Sequence, residues 1–383
     1  MIRPSSRPTP VVPTDAGRPA PLDDEEDAPM RSDDTAPAAS ATPTAQAPGE
    51  APAPSPDAAP VSVSDAAPAP APAPSSDAAP VPDSVSASDT QITPPAEGAP
   101  RVWVLGSLNA DMTLAVPWIV RPGETLSATS STLSPGGKGM NQAVAAAHSG
   151  ARTVMIGAVG DDDRGAMLAA TLERRGVGSA VVRREGVDTG TAIIQLDAAG
   201  ENSIVILEGA NGTVGPEDAT AALAPCREGD VVVAQLEIPQ DAIAAGFAVA
   251  REQGARTILN AAPAADASAL LPLVDVLVVN ETEAEMLLGD RAEDPARRLH
   301  EMHGCDVVVT LGGQGSVVLD VDGSETVPAI PTDVVDTTGA GDAFVGATAA
   351  ALAAGASLRD AARAGTRLAH EVCGVAGAQG YGG

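Results

Sequence analysis

Aromatic residues are nearly missing from this chain: two tryptophans, two phenylalanines and one tyrosine among 383 residues. A core without large rings has to be filled by Ala, Val, Leu and Gly, so helices and sheet are expected to approach one another closely. Basic residues are scarce too, 22 Lys and Arg against 51 Asp and Glu, for a formal net charge of −29. Such a surface repels phosphate backbones and anionic lipid, which excludes nucleic acid and membrane as expected partners. Only three cysteines occur (Cys226, Cys305, Cys373), with no CxxC or metal-ligand spacing. They read as small buried hydrophobes, and nothing implies an oxidising compartment. No apolar run is long enough to span a bilayer, and the stretch after Met1 is proline-rich and acidic, unlike a secretory signal. A cytoplasmic protein is the expectation.

What the chain does have changes abruptly along its length. Residues 1–99 are a Pro/Ala/Ser/Asp tract in which Ser-Asp-Ala-Ala-Pro recurs at Ser64 and Ser76 and acids cluster from Asp23 to Asp27. A segment so poor in large apolar groups cannot offset its chain entropy, so a disordered acidic tail is expected, with a partner that the sequence leaves unknown. From Arg101 onward, short Val-rich runs alternate with Ala-rich helical runs. Val102–Leu105, Thr153–Gly157, Asp230–Gln235, Thr257–Asn260, Val274–Val279 and Asp306–Thr310 read as strands. Lys138–Gly150, Asp162–Arg175 and Pro239–Gly254 read as helices. This alternation predicts an α/β domain over 100–383, with a mainly parallel sheet and helices on both faces. Thr113–Ser131 and Thr191–Leu207 break the rhythm as hairpins. They read either as a lid or as edge strands of the main sheet.

The chemistry centres on Asp336-Thr337-Thr338-Gly339-Ala340-Gly341-Asp342-Ala343-Phe344. Val334 and Val335 read as the end of a buried strand, and a helix is expected from Val345 to about Ala354. The glycine turn between them lets backbone N–H groups converge on one point at the helix's positive end, a cradle for an anion. A carboxylate beside such a cradle repels phosphate unless its task is to take a proton, which suits phosphoryl transfer to an alcohol. The plainer reading is that Gly-Ala-Gly-Asp caps a helix.

Polar residues cluster at other expected strand ends. Asn109 and Asp111 follow the first strand, and Glu237 follows another, where ligands of open α/β sheets bind. Pro135-Gly136-Gly137-Lys138-Gly139-Met140-Asn141 opens a helix with glycines, a cation and an amide. Its spacing is not that of a Walker A loop, and its glycines are expected to admit a polar ligand close to backbone. Asn280 and Glu283 either cap a helix or organise water around a phosphate-bound Mg²⁺. Thr310-Leu311-Gly312-Gly313-Gln314-Gly315 is a turn that accommodates a nucleotide or is simply a tight hairpin.

Together these residues resemble the ribokinase branch of the PfkB carbohydrate kinases, from about Arg101 to the C-terminus. Gly106-Ser107-Leu108-Asn109-Ala110-Asp111 is similar to the family's opening motif, Gly136–Gly150 to its first signature and Asp336–Phe344 to its second. Gln235-Leu236-Glu237 and Asn280–Ala284 fall between them in order. The resemblance implies a ribokinase-like fold with a small β-hairpin lid from about 113–131 and 191–207. It implies Asp342 as general base and Gly339, Ala340 and Gly341 as anion hole. Asn109, Ala110, Asp111, Gly137, Lys138, Gly139, Met140, Asn141 and Glu237 are implied to hold the sugar together with Asp342. For ATP it implies Asn280, Thr310, Leu311, Gly312, Gly313, Gln314, Gly315 and Gly341, with Gly365 where the family often carries a side chain near the adenine. Glu283 is implied to assist Mg²⁺ through water. Asp336 and Thr338, with backbone oxygens near Val372, Val375 and Gly377, are implied to hold an activating K⁺. The expected activity is ATP-dependent sugar phosphorylation, ribose first, with deoxyribose, fructose, adenosine or cytidine as alternative acceptors and a homodimer formed through the lid. A non-catalytic sensor of sugar or nucleotide is the reading from another class, and it has no need of Asp342.

Overall fold

The computed structural model describes residues 98–380, so the expectation for the acidic tail lies outside the described residues. The chain begins with β1 (Arg101–Leu105), β2 (Asn109–Ala115) and β3 (Ser130–Gly136), then α1 (Lys138–His148), β4 (Arg152–Gly160), α2 (Asp163–Arg174) and β5 (Gly178–Arg184). β6 (Thr191–Leu196) and β7 (Asn202–Leu207) form a hairpin, followed by α3 (Pro216–Leu223), β8 (Val231–Gln235), α4 (Gln240–Glu252) and β9 (Arg256–Asn260). β10 (Val276–Asn280), α5 (Glu281–Leu288), α6 (Pro295–His303), β11 (Asp306–Thr310), β12 (Ser316–Asp320) and β13 (Gly323–Val327) lead to α7 (Ala340–Ala353) and α8 (Leu358–Cys373).

The main sheet runs β13-β12-β11-β10-β9-β8-β1-β4-β5. It is parallel from β11 to β5, with β12 and β13 as an antiparallel edge. Its inner strands β1, β8, β10 and β11 are buried on both faces, which is why they read as unbroken Val-rich runs. Alternate side chains of β1 serve different cores: Val102 and Val104 pack with α1, α2, α7 and α8, whereas Trp103 and Leu105 pack with α3 to α6. The scarcity of rings shows in the helix contacts. A Cβ on Gly346 of α7 would lie 2.4 Å from the Gln142 carbonyl oxygen and 2.6 Å from Ala145 Cβ on α1. Only small residues permit that approach.

Four strands form a separate sheet in the order β3-β2-β6-β7. The hairpins are therefore not edge strands of the main sheet. The second matches the expected Thr191–Leu207, but the first was read too narrowly: its arms are Asn109–Ala115 and Ser130–Gly136, paired Asn109 to Gly136. Asn109, Ala110 and Asp111 thus sit on a strand of the small sheet rather than in a loop after β1. A second expectation fails at Val334 and Val335, which are 60% and 64% exposed and belong to no strand. The Val335 N–H donates instead to the Cys373 carbonyl at the end of α8, 2.8 Å away. Pairing with a helix end replaces pairing with a sheet.

Candidate active site

Asp342 lies in the first turn of α7, whose N-cap is Gly339 in the left-handed region (φ 78°). The turn caps the helix: α7 begins at Ala340, whose N–H donates to the Thr337 carbonyl at 3.2 Å. A Cβ on Gly339 would lie 2.7 Å from Ala378 Cα, whereas one on Gly341 would meet nothing within 4 Å. Gly339 is therefore glycine because of its own chain, and Gly341 leaves open space at the positive end of the helix.

The Asp342 side chain is buried, and both of its oxygens accept amide hydrogens. Asn141 Nδ2 donates to Oδ2 and Gln142 Nε2 to Oδ1, each at 3.0 Å. Behind them, Gln142 Nε2 also reaches Asn260 Oδ1 at 3.0 Å, Gln235 Nε2 reaches Gln142 Oε1 at 2.6 Å, and Gln379 Nε2 reaches Asn141 Oδ1 at 2.8 Å. Lys138, at the start of α1, is held more firmly protonated than usual, first by Asp342 and, against its desolvation, by Glu237 and Glu283 as well.

Asp111 faces the same centre. Burial foremost, then Glu237 and Asp342, push its carboxyl up to about 7. Its Oδ1 is buried with no hydrogen-bond partner among the described residues. The carboxylate lies directly over Gly136, where a Cβ would come within 1.9 Å of Oδ2. Glu237 Oε2 accepts from Ser107 Oγ at 2.5 Å and from the Lys138 N–H at 3.1 Å. Asn109 is fixed by Asn211, whose Nδ2 donates to Asn109 Oδ1 at 2.7 Å.

The glycine run that opens α1 lies against the chain's own backbone. A Cβ on Gly137 would lie 2.8 Å from Asn109 N, and one on Gly139 2.6 Å from Ser107 N. These glycines, with Gly136, let the chain cross its own Gly106–Asp111 segment, so the close approach is by protein backbone. Met140 is fully buried in the core and Ala110 is buried on β2, so both place neighbours rather than offer side chains to a ligand.

Two openings meet here. A cavity of about 270 Å³ is lined by Thr310, Gly312, Gly313 and Gly315 of the β11–β12 turn, by Ala340, Gly341 and Phe344 of α7, and by Thr366, Ala369, His370 and Cys373 of α8. A wider cleft of about 1030 Å³ is lined by Asp111, Ser134, Pro135, Asp336, Thr338, Gly377 and Gln379 among others. Val334 and Thr337 line both. Of the nucleotide residues implied by resemblance, Leu311, Gln314, Asn280 and Gly365 are not in the wall of the smaller cavity. Leu311 packs on the core instead. Gly365 faces α7, where a Cβ would lie 2.5 Å from Thr348 Oγ1. Thr366, the next residue, faces the cavity.

The sequence profile described as "pfkB family carbohydrate kinase" matches residues 99–381. The chain belongs to the PfkB family of carbohydrate kinases. It is 35% identical to the ribokinase of Haemophilus influenzae over 274 residues, which are 70% of this chain and 90% of that one. It is 39% identical over 261 residues to a bifunctional ribokinase/ribose-5-phosphate isomerase A of Fructilactobacillus sanfranciscensis. That match takes in 66% of this chain and 48% of the larger protein, so it spans about half of that relative's length. A solved structure of Arabidopsis thaliana ribokinase complexed with ribose and ATP superposes with a TM-score of 0.64 at 30% identity, covering 73% of this chain and 95% of that one.

Two cations implied for a PfkB kinase can be tested against the residues present. No group of three or more His, Cys, Asp or Glu able to hold a metal occurs among the described residues. A hard cation in this family would arrive with nucleotide phosphates and keep its waters. Glu283 fits such a role. Its oxygens accept from Asn280 N at 2.8 Å and Asn280 Nδ2 at 2.9 Å, so capping and water organisation are compatible, with lone pairs to spare. Asp336 accepts from the Thr338 N–H at 2.8 Å and the Gly377 N–H at 2.9 Å. Burial alone would raise its carboxyl, but these bonds outweigh burial and hold it below its ordinary value. Val372 and Val375 close the adjoining turn, Val375 N–H to Val372 carbonyl at 3.1 Å. An Asp336 carboxylate held below its ordinary value is a group that fits a monovalent cation.

Sequence reasoning missed Gln142, Asn211, Asn260 and Gln379 as members of this PfkB site, and also the cavity face of α8. The α8 residues carried a signal, since Thr366, Ala369, His370 and Cys373 fall at helical spacing. The amides carried none, because their partners lie up to 238 positions away.

Among the described residues, no helix is long and apolar enough to cross a membrane.

Proposed function

We propose that this chain is an ATP-dependent ribokinase, transferring the γ-phosphate of ATP to O5 of D-ribose. The observation that carries this reading is the position of Asp342. It is oriented by two amides, stands one residue from the open face of Gly341 on the nucleotide-sized cavity, and is electrostatically coupled to Asp111 of the wider cleft. The ribokinase relatives support ribose as the acceptor.

In this reading Asp111, with its unpartnered Oδ1, accepts hydroxyl hydrogens of the sugar, as do Asn109 and Glu237. Asp342 takes the proton from the attacking hydroxyl, and the N–H groups at Gly339–Gly341 hold the charge that develops on the transferring phosphoryl. Lys138, kept protonated, balances the carboxylates around it. A divalent ion supplies charge neutralisation to the phosphates when bound, with Glu283 orienting its water. The turn Asp336–Thr338 with Val372–Gly377 holds the monovalent ion. The lid's edge strand exposes Ile204, Val205, Ile206 and Leu207, which supports homodimer formation through the small sheet.

The test is ATP-dependent phosphorylation of ribose, deoxyribose, fructose, adenosine and cytidine, each with and without K⁺. The expected result is preference for ribose and stimulation by K⁺. Preference for another acceptor moves the specificity, and absence of turnover on all five overturns the reading.

Asp111 gives a second expectation. Its folded value, about 7, exceeds the ordinary 3.8, so its ionisation opposes folding. The penalty is absent below the unfolded value, develops between 3.8 and about 7, and is complete above. At pH 8, Asp111→Asn is therefore expected to raise Tm by about 2–4 °C while sugar binding is lost. In the unmodified protein, KM for the sugar is expected to rise as pH falls below 7, approaching tenfold per unit, because the neutral carboxyl is the poorer acceptor. A Tm that falls in the variant, or a KM flat across this range, contradicts the assignment.

A further inference from the structure

The amides around Asp342 are ordered in polarity. A carboxylate only accepts, so Asn141 has to turn its NH₂ toward Asp342 and its oxygen away. That oxygen lies in a site where Asn141 is 6% and Gln379 8% exposed, and it needs a donor. Gln379 Nε2 supplies one at 2.8 Å. The arrangement has a visible cost: Gln379 Oε1 is left buried without a partner among the described residues. Reversing the Gln379 amide would set two oxygens against each other, so the polarity of the chain Gln379–Asn141–Asp342 has one solution.

Gln379 is in turn secured from outside the site. Arg175, following α2, donates from a guanidinium nitrogen to the Gln379 carbonyl at 2.8 Å. Two residues earlier, the Gly377 N–H is bound to Asp336, and Ala378 is the neighbour that forbids a Cβ on Gly339. The segment Gly377–Gln379 therefore touches the helix cap by packing and is linked by hydrogen bonds, through Asn141, to the candidate base.

We propose that Gln379 is a positioning residue for phosphoryl transfer. It fixes which way the Asn141 amide faces, and through Asn141 it fixes the side-chain orientation of Asp342. The proposal rests on the reading of Asp342 as the base. Without the Gln379 donor, the buried Asn141 oxygen loses its partner, so the amide shifts to find another and the carboxylate bonded to its NH₂ moves out of line with the acceptor hydroxyl.

Three variants separate this role from simple packing. Gln379→Met keeps the volume and removes the donor; kcat is expected to fall roughly tenfold or more, with KM for sugar and ATP within about twofold. Gln379→Glu keeps the shape but attracts the Asn141 NH₂ to itself, turning the Asn141 oxygen toward Asp342, so its kcat is expected to fall further. In an Asn141→Leu background, Gln379→Met is expected to have no additional effect. Gln379→Met with wild-type kcat overturns the proposal, as does Gln379→Glu outperforming Gln379→Met. Activity that tracks Tm across Met, Glu and Ala at this position means a packing role and also overturns it. Wild-type turnover is measured first: its absence overturns the kinase reading itself, whereas normal turnover with an unaffected Gln379→Met overturns this inference alone.

Discussion

Asp342→Asn is expected to lower kcat by about 10²–10⁴-fold while leaving sugar and nucleotide binding measurable, because the variant keeps the shape and removes the proton acceptor. The side chain accepts from both Asn141 and Gln142. An asparagine there offers one oxygen and one NH₂, so one of these donors loses its acceptor, at a cost of about 1–3 kcal/mol. A lower Tm is therefore part of the expected result and does not by itself explain the loss of turnover. Calorimetric titration with sugar and with an ATP analogue, beside steady-state rates, separates the two effects. Turnover within tenfold of the unmodified protein would remove Asp342 from the mechanism.

The second large effect is expected at Gly339. Alanine there has to adopt a φ of 78° and place its methyl group 2.6 Å from Ala378 Cβ. The left-handed conformation alone costs about 1–2 kcal/mol, and the clash displaces either the cap of α7 or the segment Gly377–Gln379. Either displacement misaligns the N–H groups of the helix start, so a loss of about 10²–10³ in kcat is expected along with a lower Tm. Gly341→Ala is the contrasting variant. Nothing in the protein meets its methyl group, and alanine is the better helix former by about 0.5–1 kcal/mol, so Tm should hold or rise. Its methyl group projects toward the nucleotide cavity, and KM for ATP is expected to increase. If both variants lower Tm alike, the distinction between a packing glycine and a ligand-facing glycine fails.

Much of this architecture was legible because buried parallel strands leave a plain trace. The runs Val102–Leu105, Val231–Gln235 and Val276–Val279 have no polar face to blur them, and the helices between them carry their own period. The small sheet was less legible where function intrudes. β2 contains Asn109 and Asp111, residues of poor strand propensity, so its beginning was mistaken for a loop. The opposite error occurred at Val334 and Val335, where two β-branched residues suggested a strand but the backbone bonds to the end of α8. Glycine identities drew attention to this region, but only the fold shows that Gly137 and Gly139 leave no room for a Cβ against Asn109 and Ser107. The orientation of Asp342 depends on Gln142 and Gln379, which look like any surface amide until the fold brings them 200 and 238 positions across the chain.

The close contact between α1 and α7 has a mechanical consequence. With Gly346 against the Gln142 carbonyl and Ala145, there is no soft layer between the helix bearing Asn141 and the helix bearing Asp342. The two helices form a single stiff block, like parts of one casting, and the hydrogen bonds from Asn141 and Gln142 to Asp342 lie inside it. The walls of the wider cleft lie outside that block, in the small sheet with Asp111, in α2 and in the stretches 334–338 and 376–380, so a change in its width leaves the α1–α7 contact as it is.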